Sequence, residues 1–183
     1  MTSLLRFEDV SLRRGGRLLF EAMNLELGPG EGLQVAGPNG SGKSSLIRLA
    51  SGLLRAERGR VDRVAVALAD DSLALDRELP LWRALSFWAG PVDEAMEALG
   101  IAQLEDVPVR LLSSGQAKRA TLARVAASHA PLWLLDEPLN ALDADGAERL
   151  ASIISAHLAA GGAVLAASHQ PLPGVWRRLE LGR

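Results

Sequence analysis

Nine consecutive residues, Gly37, Pro38, Asn39, Gly40, Ser41, Gly42, Lys43, Ser44 and Ser45, combine three glycines with three hydroxyls and one ammonium. The spacing Gly37-x-x-x-x-Gly42-Lys43-Ser44 suits a loop that wraps a chain of phosphates. Glycines let backbone N–H groups close around the anion, and a helix opening at Lys43 adds the positive end of its dipole. Lys43 is then placed to neutralise β- and γ-phosphates, and the Ser44 hydroxyl to bind Mg²⁺. Lys43 and Lys118 are the only lysines in a chain whose other basic residues are arginine. A compact ammonium kept at position 43 therefore points to a point-charge role there.

A second group of residues supplies carboxylates. Asp136 and Glu137 end the apolar run Leu132-Trp-Leu-Leu135, and ligands of parallel sheets bind at such strand ends. Asp136 is the expected Mg²⁺ ligand, through water, and Glu137 the expected acceptor of a proton from an attacking water. An acidic pair alone would only cap the next turn; beside the phosphate loop it completes a site. Leu112-Ser113-Ser114-Gly115-Gln116 precedes a predicted helix about twenty residues before Asp136. Ser113 and the Gly115 N–H at that helix start suit a γ-phosphate, although in isolation the segment would be no more than a helix cap.

The elements that must position these groups follow from periodicity. Residues 4–14 and 17–27 alternate apolar and polar side chains about Gly15-Gly16, which predicts an antiparallel hairpin. Short apolar runs at 32–36, 60–68, 132–135 and 163–168 predict strands, and 178–181 a final edge strand. Helices are predicted from the phosphate loop to Gly52, over Leu81–Ala89, Val92–Leu99, Ser113–Ser128 and Asp143–Ala160. Core strands that are apolar on both faces and alternate with helices argue for a parallel sheet covered by helices. The expected fold is α/β: a P-loop NTPase core, an N-terminal antiparallel β part over about 1–30, and a small helical part over about 75–128. No linker is apparent, so 1–183 is expected to be one domain.

Taken together, these segments resemble the ATP-binding-cassette ATPases, whose defining Leu-Ser-Gly-Gly-Gln pattern falls where Leu112–Gln116 stands here. Ser114 in place of the glycine is the one departure in that segment. The resemblance also makes Asn140-Ala-Leu-Asp143 the D-loop and His169, directly after a predicted strand, the switch histidine. It implies ATP and Mg²⁺ as ligands and a homodimer paired head to tail, the phosphate loop of one copy facing the Leu-Ser-x-Gly-Gln segment of the other. It further implies integral-membrane permease partners and a peripheral position on the cytoplasmic face of the membrane. Three stretches, Leu135–Gly146, Gly161–Leu165 and Ser168-His-Gln-Pro-Leu172, are similar to the haem-exporter branch that serves cytochrome c maturation. The short length and Val107-Pro-Val-Arg110 fit that branch too.

Two expected features are altered. Members of the family usually place a glutamine between the phosphate loop and the Leu-Ser segment, linking Mg²⁺ to the membrane partner. Asp70-Asp71-Ser72 fills that stretch here, and Asp71 is the expected substitute, the alternative being a pair of solvated loop acids. The hairpin position that usually offers adenine an aromatic ring falls at Arg13 or Arg14, of which Arg14 is the candidate; a guanidinium also stacks on a base, but either arginine can equally be a solvated strand residue. Trp82, Phe87 and Trp88 either pack the helical part or anchor a membrane partner, and an exposed Trp82 would fit the second.

Composition narrows the function classes. The chain has 183 residues, 48% of them apolar and 23% charged, with a formal net charge of −2, which fits a globular domain and offers no basic field for nucleic acid. Cysteine is absent, excluding disulfides, thiolate metal sites and cysteine nucleophiles. No apolar run is long enough to span a bilayer, and Met1–Asp9 has no signal-peptide pattern, so a cytosolic chain is expected.

Overall fold

The computed structural model describes residues 3–88 and 90–182. In chain order the elements are β1 (Leu5–Arg14), β2 (Arg17–Leu27), β3 (Gly32–Ala36), α1 (Lys43–Ser51), β4 (Arg58–Arg63), β5 (Val66–Ala69), α2 (Leu81–Ser86), α3 (Val92–Ala98), α4 (Ser114–Ala127), β6 (Leu132–Asp136), α5 (Ala144–Ala159), β7 (Ala163–Ala167) and β8 (Arg177–Glu180). Strands β2-β1-β4 form an antiparallel sheet, and β5-β6-β7-β3-β8 a parallel one.

The parallel sheet separates two apolar layers. Along β6, Leu132 and Leu134 face a layer with Leu5, Phe7, Leu46 and Ile47 of the antiparallel sheet and α1. Trp133 and Leu135 face the opposite layer, built with Leu85, Met96, Leu122 and Ile154 of the helices. Strand β7 divides the same way, Ala163, Leu165 and Ala167 against Val164 and Ala166. Period-two geometry sends successive side chains to opposite faces, so a strand covered on both sides is apolar throughout; β3, β6 and β7 are buried at every position. In β1, by contrast, Leu5, Phe7, Val10 and Leu12 are buried between exposed or half-buried neighbours, with a register shift between Phe7 and Val10 where Asp9 takes a φ of 49°.

One strand expectation is corrected. The run 60–68 is two strands: β4 joins the antiparallel sheet and β5 starts the parallel one. The chain leaves one sheet at Val64-Ala65 and enters the other, a change of pairing partner that side-chain alternation does not encode. The helix expected over Leu81–Ala89 is shorter, ending at Ser86, where the Ser86 hydroxyl donates to the Trp82 carbonyl at 2.8 Å; Ala89 lies outside the described residues. The remaining elements match their expected ranges to within a residue or two. Among the described residues no helix is long and apolar enough to cross a membrane.

Candidate nucleotide site

Sheet register brings the chemical groups together. Val35 of β3 pairs with Ala167 of β7, and Ala167 pairs in turn with Asp136 of β6. The phosphate loop after β3, the acid pair at the end of β6 and Ser168-His169 after β7 therefore lie at the same C-terminal edge of adjacent parallel strands. Ala69, the last residue of β5, pairs with Leu135, so Asp70-Asp71 emerge beside Asp136.

Within the loop, Gly37 has a φ of 143°, and a Cβ there would lie 2.4 Å from the Leu181 carbonyl oxygen, so only glycine fits. Gly42 caps α1 in the left-handed region and, being glycine, offers that helix end no side-chain cap. Its first N–H groups are thus left for an anion. The buried Lys43 ammonium donates to the carbonyls of Gly37 at 2.9 Å and Pro38 at 3.3 Å. Leu19 and Phe20 of β2 lie against Gly42, a contact that the sequence did not indicate.

Asp136 is buried, and its Oδ1 has no hydrogen-bond partner among the described residues. Burial pushes its carboxyl above the ordinary aspartate range; the Ser44 hydroxyl opposes this, the charges of Asp71 and Glu137 reinforce it, and Lys118 opposes it. A buried carboxylate oxygen lacking a partner, beside a serine hydroxyl, fits a hard cation such as Mg²⁺, which takes one or two protein oxygens and completes its shell with phosphates and water. Among the described residues no cluster of three or more acidic or histidine side chains forms a protein metal cage.

Glu137 holds a φ of 45°, a left-handed conformation that is costly for a non-glycine residue. Its N–H donates to the Ala167 carbonyl at 2.8 Å, fixing it to the end of β7. Its Oε2 lies 2.8 Å from His169 Nδ1 and accepts from the His169 backbone N–H at 3.4 Å. Gln170 Nε2 lies 3.4 Å from His169 Nε2. The turn itself is braced by the buried Ser168 hydroxyl, which donates to the Gln170 carbonyl, and by Gln34, which donates to the same oxygen at 2.7 Å.

The Leu-Ser-x-Gly-Gln segment opens α4 beside this edge, where Ser114 and Lys118 line one cavity with Asp70 and Asp71. Ser113 caps α4: its Oγ accepts from the Gln116 N–H at 3.3 Å, and the Gln116 side-chain oxygen accepts from the Ser113 N–H at 2.9 Å. Ser113 and Ser114 are exposed, and Gly115 approaches the Ala141 carbonyl so closely that a Cβ would sit 2.9 Å from it. Asp143 caps α5, accepting from the Gly146 N–H at 3.0 Å, and pairs with Arg119. Those two contacts hold its carboxyl below the usual range. Among the described residues no hydrogen bond joins Ser113–Gln116 to the loop 37–45.

Arg14 is exposed opposite Arg17 at the hairpin tip, while Arg13 reaches the Gly16 carbonyl at 3.4 Å and Glu57 at 3.9 Å. Trp82 is 45% exposed, its indole N–H donating to Asp93 at 2.7 Å, and Phe87 is 81% exposed. Trp88 lies under the Arg124 guanidinium.

A glycine phosphate loop, an acid pair and a histidine on one edge of a parallel sheet, with a capped Leu-Ser-x-Gly-Gln helix beside them, define an ATP-binding-cassette ATPase. Residues 20–140 match the family described as ABC transporter, and the chain belongs to that family. It is an ATP-hydrolysing subunit of a transport system, a kind that works as a dimer with membrane partners. The chain is 54% identical to the cytochrome c biogenesis ATP-binding export protein CcmA of Sphingopyxis alaskensis, over 92% of this chain and 91% of that one. It is 58% identical to the protein of the same name from Novosphingobium aromaticivorans, over 90% and 87%, and 38% identical to that of Pseudomonas putida, over 100% and 99%. The solved ATP-binding subunit of an ABC transporter superposes with a TM-score of 0.83 at 21% identity, covering 91% of this chain and 79% of that one. At that identity it establishes the fold.

Proposed function

We propose that this chain is the ATPase of the haem exporter of cytochrome c biogenesis, the whole of 1–183 acting as one nucleotide-binding domain. The names of its relatives and the sequence stretches around Asp136, Gly161 and His169 support that assignment. Two copies pair head to tail, so that Gly37–Ser45 of one and Ser113, Ser114, Gly115 and Gln116 of the other close on the same triphosphate. Among the described residues no hydrogen bond joins the two segments within one chain, which favours this composite site, and Asp143 acts from the turn between β6 and α5. Arg14 stacks on the adenine.

Ser44, Asp136 and Asp71 would hold Mg²⁺. The ion, when bound, spreads the charge of the β- and γ-phosphates. Glu137 accepts the proton of the attacking water, and His169 fixes the carboxylate that does so. Lys43 leaves its own loop carbonyls for the phosphates, and the α1 N–H groups replace water around them. Exposed Trp82 and Phe87 anchor a membrane permease subunit, which holds the ATPase at the cytoplasmic face of the membrane.

The observation that carries this reading is the 2.8 Å Glu137–His169 contact beside Asp136 at the phosphate-loop edge. The test is complementation: in a host lacking its own copy, the wild-type chain is expected to restore haem attachment to c-type cytochromes, and Lys43→Ala is not. Restoration by Lys43→Ala would refute an ATP-driven role, and failure of the wild type, expressed with its own permease partners, would refute the substrate assignment.

A further inference from the structure

The second of the two lysines has a place of its own. Lys118 lies on the second turn of α4, half-buried, and its Nζ donates to the Asp136 carbonyl at 3.3 Å. That contact holds an ammonium at the end of β6, within the edge that carries the acid pair. A cavity of about 260 Å³ lies beside it, lined by Asp70, Asp71, Lys118, Thr121 and Asn140 among others. It joins the stretch after β5 to α4 and to the turn after β6.

Charge explains why an ammonium stands there. Burial lowers the pKa of the Lys118 ammonium, and the carboxylates of Asp71, Asp136, Glu137 and Asp70 around it oppose that shift; Asp70 and Asp71 share the cavity wall with it. Asp71 also acts unfavourably on Asp136. A carboxylate at position 71 adds negative charge next to bound phosphates. A cation close by, in a half-buried setting that salt screens weakly, offsets it.

We propose that Lys118 is a positioning residue paired functionally with Asp71: its ammonium, anchored on the Asp136 carbonyl, compensates the Asp71 carboxylate and so allows an aspartate to serve beside the metal. The proposal rests on the nucleotide site described above. It makes the effect of losing Lys118 depend on what stands at position 71, whereas a lysine that only packs α4 would act independently of it.

Four proteins test this: wild type, Lys118→Met, Asp71→Asn and the double variant. ATP dissociation constants are measured with Mg²⁺ and with EDTA, and melting temperatures without nucleotide. Lys118→Met is expected to weaken Mg-ATP binding roughly tenfold when Asp71 is intact and less than about twofold in the Asp71→Asn background. Lys118→Arg is expected to retain binding. Equal losses in both backgrounds, or no loss in either, would overturn the pairing. Should Lys118→Met fail to fold, Lys118→Gln is read by the same criterion. If the wild type binds no nucleotide, it is the nucleotide site that fails; the pairing is then judged on the melting temperatures, where additive shifts overturn it and a smaller loss in the Asp71→Asn background supports it.

Discussion

Glu137 Oε2 and His169 Nδ1 lie 2.8 Å apart, across the ends of two neighbouring parallel strands. The contact fixes the carboxylate that follows Asp136, because Glu137 is also tied through its backbone to Ala167. Its left-handed backbone is the local cost of aiming the side chain there.

In the proposed mechanism Glu137→Gln removes the proton acceptor while keeping size and hydrogen-bonding capacity. Turnover is expected to fall by about two to four decades with ATP affinity retained. Steady-state hydrolysis and equilibrium nucleotide binding check the two halves separately, and unchanged turnover would remove Glu137 from that role.

His169→Ala leaves the carboxylate without its partner. Turnover is expected to fall on the order of tenfold to a hundredfold, since a small misplacement of a reacting group has that effect. In the Glu137→Gln background the same change is expected to add little, because residues acting as a unit are not additive. Hydrolysis rates for the four combinations provide the check.

Lys43→Ala acts on binding. A buried ammonium that exchanges carbonyl partners for phosphates forms charge-assisted hydrogen bonds, so affinity for ATP is expected to drop roughly tenfold or more. Titration with a fluorescent ATP analogue measures it.

Ser113→Ala removes half of the capping box on α4. A lost N-cap costs about 1 kcal/mol, and the melting temperature of a domain of this size is expected to drop by about 2–4 °C. Ser113→Asp keeps a cap oxygen and is expected to recover the stability, but it places a negative charge where a γ-phosphate is proposed to sit. Calorimetry and ATPase assays should therefore part company in that variant.

His157 supplies a pH dependence. Its ring stacks on Trp133 at 3.9 Å between centroids, and burial holds its pKa below the ordinary 6.5. The folded chain thus binds the proton less readily than the unfolded one, so this contribution is intact above about pH 6.5 and is lost as the pH falls towards the lower folded value. The wild type is expected to lose more of its melting temperature between pH 7.5 and 5.5 than His157→Phe, which keeps a stacking ring without titrating.

Much of this architecture is written locally. The glycine spacing at 37–42 and the apolar run into Asp136-Glu137 are short-range patterns, and both fold as their local chemistry dictates. The placement of Asp71 is different: it depends on β5 pairing with β6, Ala69 opposite Leu135, and no residue near 71 encodes a partner so far along the chain. The same holds for the split of 60–68 between two sheets. Lys118 carried a usable signal, as one of only two lysines, but its position at the site follows from how α4 packs on the sheet. The stack of His157 on Trp133 joins a helix to a strand and has no counterpart in sequence spacing.

Two copies are proposed to enclose ATP head to tail. The chain has no cysteine, so Asn39→Cys and Ser114→Cys, made in separate copies that also carry Glu137→Gln, can be mixed and oxidised. Both positions are exposed. With Mg-ATP the mixture is expected to give a disulfide-linked dimer joining one copy of each kind, and without nucleotide it is not. A mixture that binds Mg-ATP yet stays uncrosslinked would contradict the claim.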